Sequence, residues 1–104
     1  MIQNAIQEKK AKIVDDQVAE MIRTHNLSVE YLGETFDNEQ LSFTVIVKVS
    51  GKGENNEKRV LDDVGVAVAE SDTAAALAAA KMKAWTKARR RAVLAFLGYT
   101  VVYE

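Results

Sequence analysis

With 104 residues, 48% of them hydrophobic, the chain suits one domain with one packed core, which excludes wholesale disorder. It contains no cysteine, which excludes disulfides, thiolate metal sites and cysteine nucleophiles, and no proline, so nothing forces a helix break. The net charge of −1 conceals an asymmetry: residues 1–70 carry eight bases against thirteen acids, a net of −5, whereas residues 71–104 carry six bases against two acids, a net of +4.

All six of those bases fall between Lys81 and Arg91, a stretch without an acid. One concentrated basic patch on a near-neutral chain points to a localised anionic partner. It argues against a surface that adheres to nucleic acid everywhere. No apolar run approaches the length of a membrane span, and Met1–Lys12 is too polar to open a signal peptide. The expectation is an intracellular protein, cytoplasmic or nucleoid-associated, with no membrane partner.

In chain order, residues 1–25 read as a helix, because Ile2, Ile6, Ile13, Val18, Met21 and Ile22 recur near helical spacing. Asn26 is the expected stop. Leu27, Val29 and Tyr31 alternate with Ser28 and Glu30 as a first strand, with turn chemistry at Gly33 and at Asp37-Asn38. The second strand is the clearest element: Leu41, Phe43, Val45, Val47 and Val49 fall on one face, and Ser42, Thr44, Ile46 and Lys48 on the other.

Ser50–Glu57, with two glycines and two asparagines, reads as a flexible hairpin loop. A third strand follows over about Lys58–Ala69. Val60, Val64, Val66 and Val68 share one parity, and Gly65, Ala67 and Ala69 the other, where their small size admits a helix or another subunit at close range. Ser71 or Asp72 caps a second helix from about Thr73 to Leu97, alanine-rich at its start and stopped by Gly98. Tyr99–Tyr103 reads as a short last strand. The whole is one α+β domain in the order α-β-β-β-α-β, with an antiparallel sheet of three to four strands and the helices on one face.

Advancing about 100° per residue along the second helix sets Lys83, Lys87, Arg90 and Arg91 within one stripe about 100° wide, apart from a face of Met82, Trp85, Val93 and Phe96 directed at the sheet. A row of cations can meet the phosphates of a nucleic-acid backbone and release its counterions, and arginine adds planar bidentate donors. The bland alternative is a solvated helix face, although such a face normally mixes charge signs. Arg89 falls by angle among the apolar residues, facing either an acid such as Asp62 or Asp63 or a subunit interface. Trp85 reads as core, with base stacking as its alternative role.

Catalysis is not expected, and neither a cofactor nor a metal is called for. His25, the only histidine, lies at a helix end, where the helix dipole gives it a structural role. Asp62 and Asp63 are neighbours on a strand and point to opposite faces, so they cannot line one metal site. Gly51-Lys52-Gly53 does not open a helix and is no phosphate loop.

The third strand closes on Asp63-Val64-Gly65-Val66-Ala67-Val68-Ala69-Glu70. The helix after it contains Lys81-Met82-Lys83-Ala84 and Lys87-Ala88-Arg89-Arg90-Arg91-Ala92-Val93 and ends in Phe96-Leu97-Gly98. This arrangement resembles the core of the Rad-fifty-two-type single-strand annealing proteins, with phage annealing proteins sharing looser versions. The resemblance covers about residues 29–98, most closely 62–98. It implies a β-β-β-α core, homo-oligomers in the form of rings, and single-stranded DNA held by its backbone in a positive groove. Arg90 and Arg91 stand where that family has a basic pair before alanine, whereas Lys83 and Lys87 enter from helical geometry alone. The family's further helices and basic loop have no counterpart in these 104 residues.

The function expected is therefore single-stranded DNA binding, in strand annealing or homologous recombination, by a homo-oligomer. Two alternatives stay open: a double-stranded RNA-binding-type domain, and a homo-oligomeric assembly module in which the stripe meets acids of a neighbouring subunit.

Overall fold

A computed structural model of the chain describes residues 15–53 and 55–99. They form α1 (Asp15–Thr24), β1 (Ser28–Asp37), β2 (Ser42–Lys52), β3 (Lys58–Val68) and α2 (Ala74–Phe96). The strands make one antiparallel sheet in the order β1-β2-β3, so β2 is central and β1 and β3 are its edges. This is the expected α+β class. The expectations for the first part of the leading helix, residues 1–14, and for most of the last strand, residues 100–103, lie outside the described residues.

Alternation along β2 selects the core. Val45, Val47 and Val49 are fully buried, packed with Val18 of α1 and with Ala84, Ala88, Ala92, Val93, Leu94 and Phe96 of α2. Both helices end in left-handed residues that let the chain turn back: Asn26 (φ 53°) after α1 and Gly98 (φ 84°) after α2. In each case an amide beyond that residue bonds a carbonyl of the last turn, Leu27 to Ile22 at 2.9 Å and Tyr99 to Leu94 at 2.9 Å.

Three local expectations are corrected. Gly33 is no turn: β1 continues through it to Asp37, because the register slips between Tyr31 and Gly33. That bulge changes which parity faces the helices. Val29 and Tyr31 share the face of Val49 and Val47, whereas past the bulge Glu34 and Phe36 share the face of Val45 and Phe43. Ser50, Gly51 and Lys52 belong to β2 rather than to the loop, pairing with Val60, Arg59 and Lys58. Gly51 serves close approach there, since a Cβ would stand 2.7 Å from Leu27 Cδ2. The cap of α2 is Thr73, whose hydroxyl accepts the Ala76 amide at 3.3 Å, while Ser71 Oγ bonds that hydroxyl at 3.0 Å. The capping oxygen must come from the residue flanking the first helical turn, and Ser71 and Asp72 lie too early.

Gly65 fixes how α2 lies on the sheet. A Cβ there would stand 2.3 Å from the Ala84 carbonyl oxygen and 2.4 Å from the Ala88 nitrogen, so the strand touches helix backbone. The small face of β3 thus receives the helix at close range, as its residue sizes lead one to expect. The valines of the other parity, Val60, Val64, Val66 and Val68, stay exposed on the bare face of the sheet. Gly65→Ala is expected to lower stability by about 1–3 kcal/mol by overpacking this contact. Gly33→Ala, where nothing lies within 4 Å of the added carbon, should stay within about 0.5 kcal/mol of wild type. Urea unfolding of both variants checks the contrast, and equal losses would contradict it.

Candidate nucleic-acid interface

Residues four apart stack along a helix, and α2 lays the row Ala80, Ala84, Ala88 and Ala92 against the sheet, all four buried. Two further rows flank it. Lys81, Trp85 and Arg89 run along the β1 side, and Lys83, Lys87 and Arg91 along the free edge of β3. Contacts place Lys81 and Trp85 in the first row and Lys87 and Arg91 in the second, and helical spacing adds Arg89 and Lys83. On the first side Lys81 Nζ lies 2.8 Å from Glu34 Oε1, and the Trp85 ring meets Tyr31 edge-on with centroids 6.0 Å apart. On the second side Lys87 Nζ lies 3.4 Å from the Val66 carbonyl oxygen and Arg91 Nη1 lies 3.4 Å from that of Val64.

The sequence-derived site is therefore brought together on one flank of one helix. Lys83 is exposed. Lys87 and Arg91 follow at successive turns, each reaching to the strand edge. Arg90 stands about 100° round the helix from Arg91, close in angle to Lys83 seven residues earlier, and is half-buried. Arg89 lies in the opposite row, also half-buried.

Met82 is a correction. Expected on the sheet face, it is 62% exposed, because it stands about 160° round the helix from Ala84, the residue at the centre of the contact. Trp85 is half-buried and packs against the core beside Tyr31, which gives it the structural role. Sequence reasoning missed Arg59. Its guanidinium lies over the Phe96 ring, 5.2 Å from the centroid, and donates to the Phe96 carbonyl at 3.4 Å. A cation at the C-terminal end of α2 meets the negative end of the helix dipole. The available signal was strand parity, which puts Arg59 on the same face as Leu61 and Gly65.

The β1 side carries a small charge cluster. The Glu34 carboxyl is held below its ordinary range, chiefly by its hydrogen bond with Lys81 and against partial desolvation, with Tyr31 as a further donor. The Lys81 ammonium is held up by the same bond and by the charge of Glu34. The Tyr31 phenol is raised, first by desolvation and then by Glu34. Lys81 is thus committed to a neighbouring strand, which separates it from the row at the β3 edge.

Among the described residues no group of three or more His, Asp or Glu side chains could hold a metal ion, and no polar or charged residue is buried. No described helix is long and apolar enough to cross a membrane. What the surface offers is a line of cations beside a strand edge. Comparison with protein-family models gives no match, and neither does comparison with curated proteins.

Because the folded Glu34 pKa lies below the unfolded one, its contribution to stability is present above the unfolded value and is lost as pH falls through the folded one. In a Tyr99→Phe/Tyr103→Phe background, ultraviolet titration should find the Tyr31 phenol above the ordinary tyrosine range, and Glu34→Gln should move it part of the way back. No movement on that substitution would remove Glu34 as a cause.

Proposed function

We propose that this chain binds single-stranded DNA through Lys83, Lys87, Arg90 and Arg91 and acts in strand annealing or recombination as a homo-oligomer. The observation that carries the reading is the row at the β3 edge. Cations at residues 83, 87 and 91 rise about 6 Å per step along the helix. Alternate phosphates of a stacked strand, at about 3.4 Å per nucleotide, fall within reach of that spacing. Capture through phosphates leaves the base edges unread and free to pair, which is the requirement of an annealing step, and it makes sequence preference slight. The resemblance of residues 62–98 to the Rad-fifty-two-type core supports the same reading.

A double-stranded RNA-binding-type domain would direct cations from the start of its last helix into a groove. Here α2 opens Ala-Ala-Ala-Leu, and its first cation, Lys81, is turned toward Glu34. The assembly alternative, in which the stripe meets acids of a neighbouring subunit in place of nucleic acid, draws support from the exposed valines of β3, which leave a surface for another chain.

Fluorescence-anisotropy titrations of labelled single-stranded DNA, duplex DNA and duplex RNA across a salt series test the reading. Wild type should prefer the single strand. Lys83→Ala/Lys87→Ala and Arg90→Ala/Arg91→Ala should each weaken binding and flatten the log–log salt slope by about 0.7 for every phosphate contact removed. A preference for duplex RNA would move the assignment to the alternative fold family, and no binding at low salt would sink the nucleic-acid claim.

A further inference from the structure

The geometry points to a phosphate-binding site at one end of the sheet, in a cleft between the turn after α1 and the β2–β3 hairpin. This site lies away from the cation row of α2 and does not rest on the DNA-binding reading.

The cleft has a volume of about 450 Å3. Strand register builds its floor. Ser28 of β1 stands opposite Ser50 of β2, and two residues on, Lys52 of β2 stands opposite Lys58 of β3. All four share the face of exposed Val60, which turns away from the helices. Two turns build the walls. His25 and Asn26 come from the turn after α1, where the His25 amide donates to the Met21 carbonyl at 3.0 Å. Asn56 comes from the hairpin turn, where its amide donates to the Gly53 carbonyl at 3.0 Å. Apart from Gly51, every described residue lining the cleft has a side chain able to donate a hydrogen bond, and none is an acid.

The lysine pair carries the inference. Like charges directly opposite each other on neighbouring strands destabilise a sheet. Further along the same face the charges are mixed: Lys48 stands between Glu30 and Asp62, with its Nζ 3.8 Å from Glu30 Oε1. That row lies four residues along β2 from Lys52, about 13 Å away, past the screening length of about 10 Å at 0.1 M salt. Glu57, next to Lys58 in the chain, is directed to the opposite face. Its carboxylate accepts the Asn55 amide at 2.9 Å and lies beside Gly53 and Arg59, on the side of the Phe96 ring. The hairpin thus sets two ammonium groups on one face and the Glu57 carboxylate on the other.

An anion with more than one charge and several acceptor oxygens answers this arrangement. A phosphate group with one free end carries about −1.5 to −2 at neutral pH and three strong acceptor oxygens, so it can meet both lysines at once. A carboxylate brings one charge and two oxygens. The hydroxyls of Ser28 and Ser50 and the side-chain amides of Asn26 and Asn56 supply further donors. No Phe, Tyr or Trp lines the cleft, so it selects the phosphate group and not a stacked base. Lys58 lies six residues along β3 from Val64, the residue that Arg91 reaches, about 20 Å away. One phosphate group cannot touch both places.

Nuclear magnetic resonance of the isotope-labelled full chain tests the site, with inorganic phosphate as the probe and chloride at matched ionic strength as the control. His25 is the one histidine of the chain, so its ring signals report on the cleft without overlap. Phosphate should move those signals and the amides of Ser28, Ser50, Gly51 and Asn56 saturably. Lys52→Gln and Lys58→Gln should each weaken binding by about tenfold, with the remaining amide spectrum showing that the variants fold. Lys48→Gln, which removes the same charge from the mixed row, should stay within about twofold of wild type. A 5′-phosphorylated oligothymidine set against its unphosphorylated form separates the two sources of the group. A cleft response to the phosphorylated strand alone supports a site for strand ends, and a response to inorganic phosphate with none to either strand supports a site for the free anion. Signals that follow ionic strength alone overturn the proposal, and so does a Lys48→Gln variant that loses as much affinity as Lys52→Gln. Either failure leaves the reading of α2 untouched.

Discussion

The contact between Gly65 and the backbone of α2 sets everything around it. With no side chain at that point, β3 comes against the Ala84 carbonyl and the Ala88 amide, and the alanine row of the helix follows the small face of the strand. Close seating fixes the rotation of the helix about its own axis. That rotation decides which residues overhang which side: Lys81, Trp85 and Arg89 toward β1, and Lys83, Lys87 and Arg91 over the edge of β3. A larger residue at position 65 would lift the helix and move the cation row relative to the strand.

The two flanks of α2 do different chemistry. On the β1 side the long side chains are spent on the fold, because the bulge after Tyr31 brings Glu34 to the helix face, where it receives Lys81. On the β3 side Lys87 reaches the neutral carbonyl of Val66 and Arg91 that of Val64. The sequence stretch Lys81–Arg91 reads as one basic block, but the fold divides it between two flanks of the helix.

Much of this was legible in residue order. The alternation of Val45, Val47 and Val49, the small face Gly65-Ala67-Ala69 and the stop at Gly98 are local patterns, and each has one physical reading. So is the stripe of Lys83, Lys87, Arg90 and Arg91, since helical geometry alone groups them. What escaped depends on partners far along the chain. Gly33 and Gly51 look like turn residues, yet one lies beside a bulge and the other under Leu27 and Phe96. Met82 looks like core until the alanine row sets the helix axis. Arg59 lies 37 residues from the carbonyl it meets, and no spacing rule connects them. The bonds of Lys87 and Arg91 to the strand edge likewise need the helix and the strand in place together.

The most direct measurement is a map of backbone amide shifts in the nitrogen-labelled chain as a short oligothymidine is added at low salt. Binding along the β3 edge predicts that the largest changes fall on Lys83–Arg91 of α2 and on the amides of Val64 and Val66, with the Tyr31, Glu34 and Lys81 region little moved. Shifts confined to the β1 side, or none at saturating oligonucleotide, would contradict it.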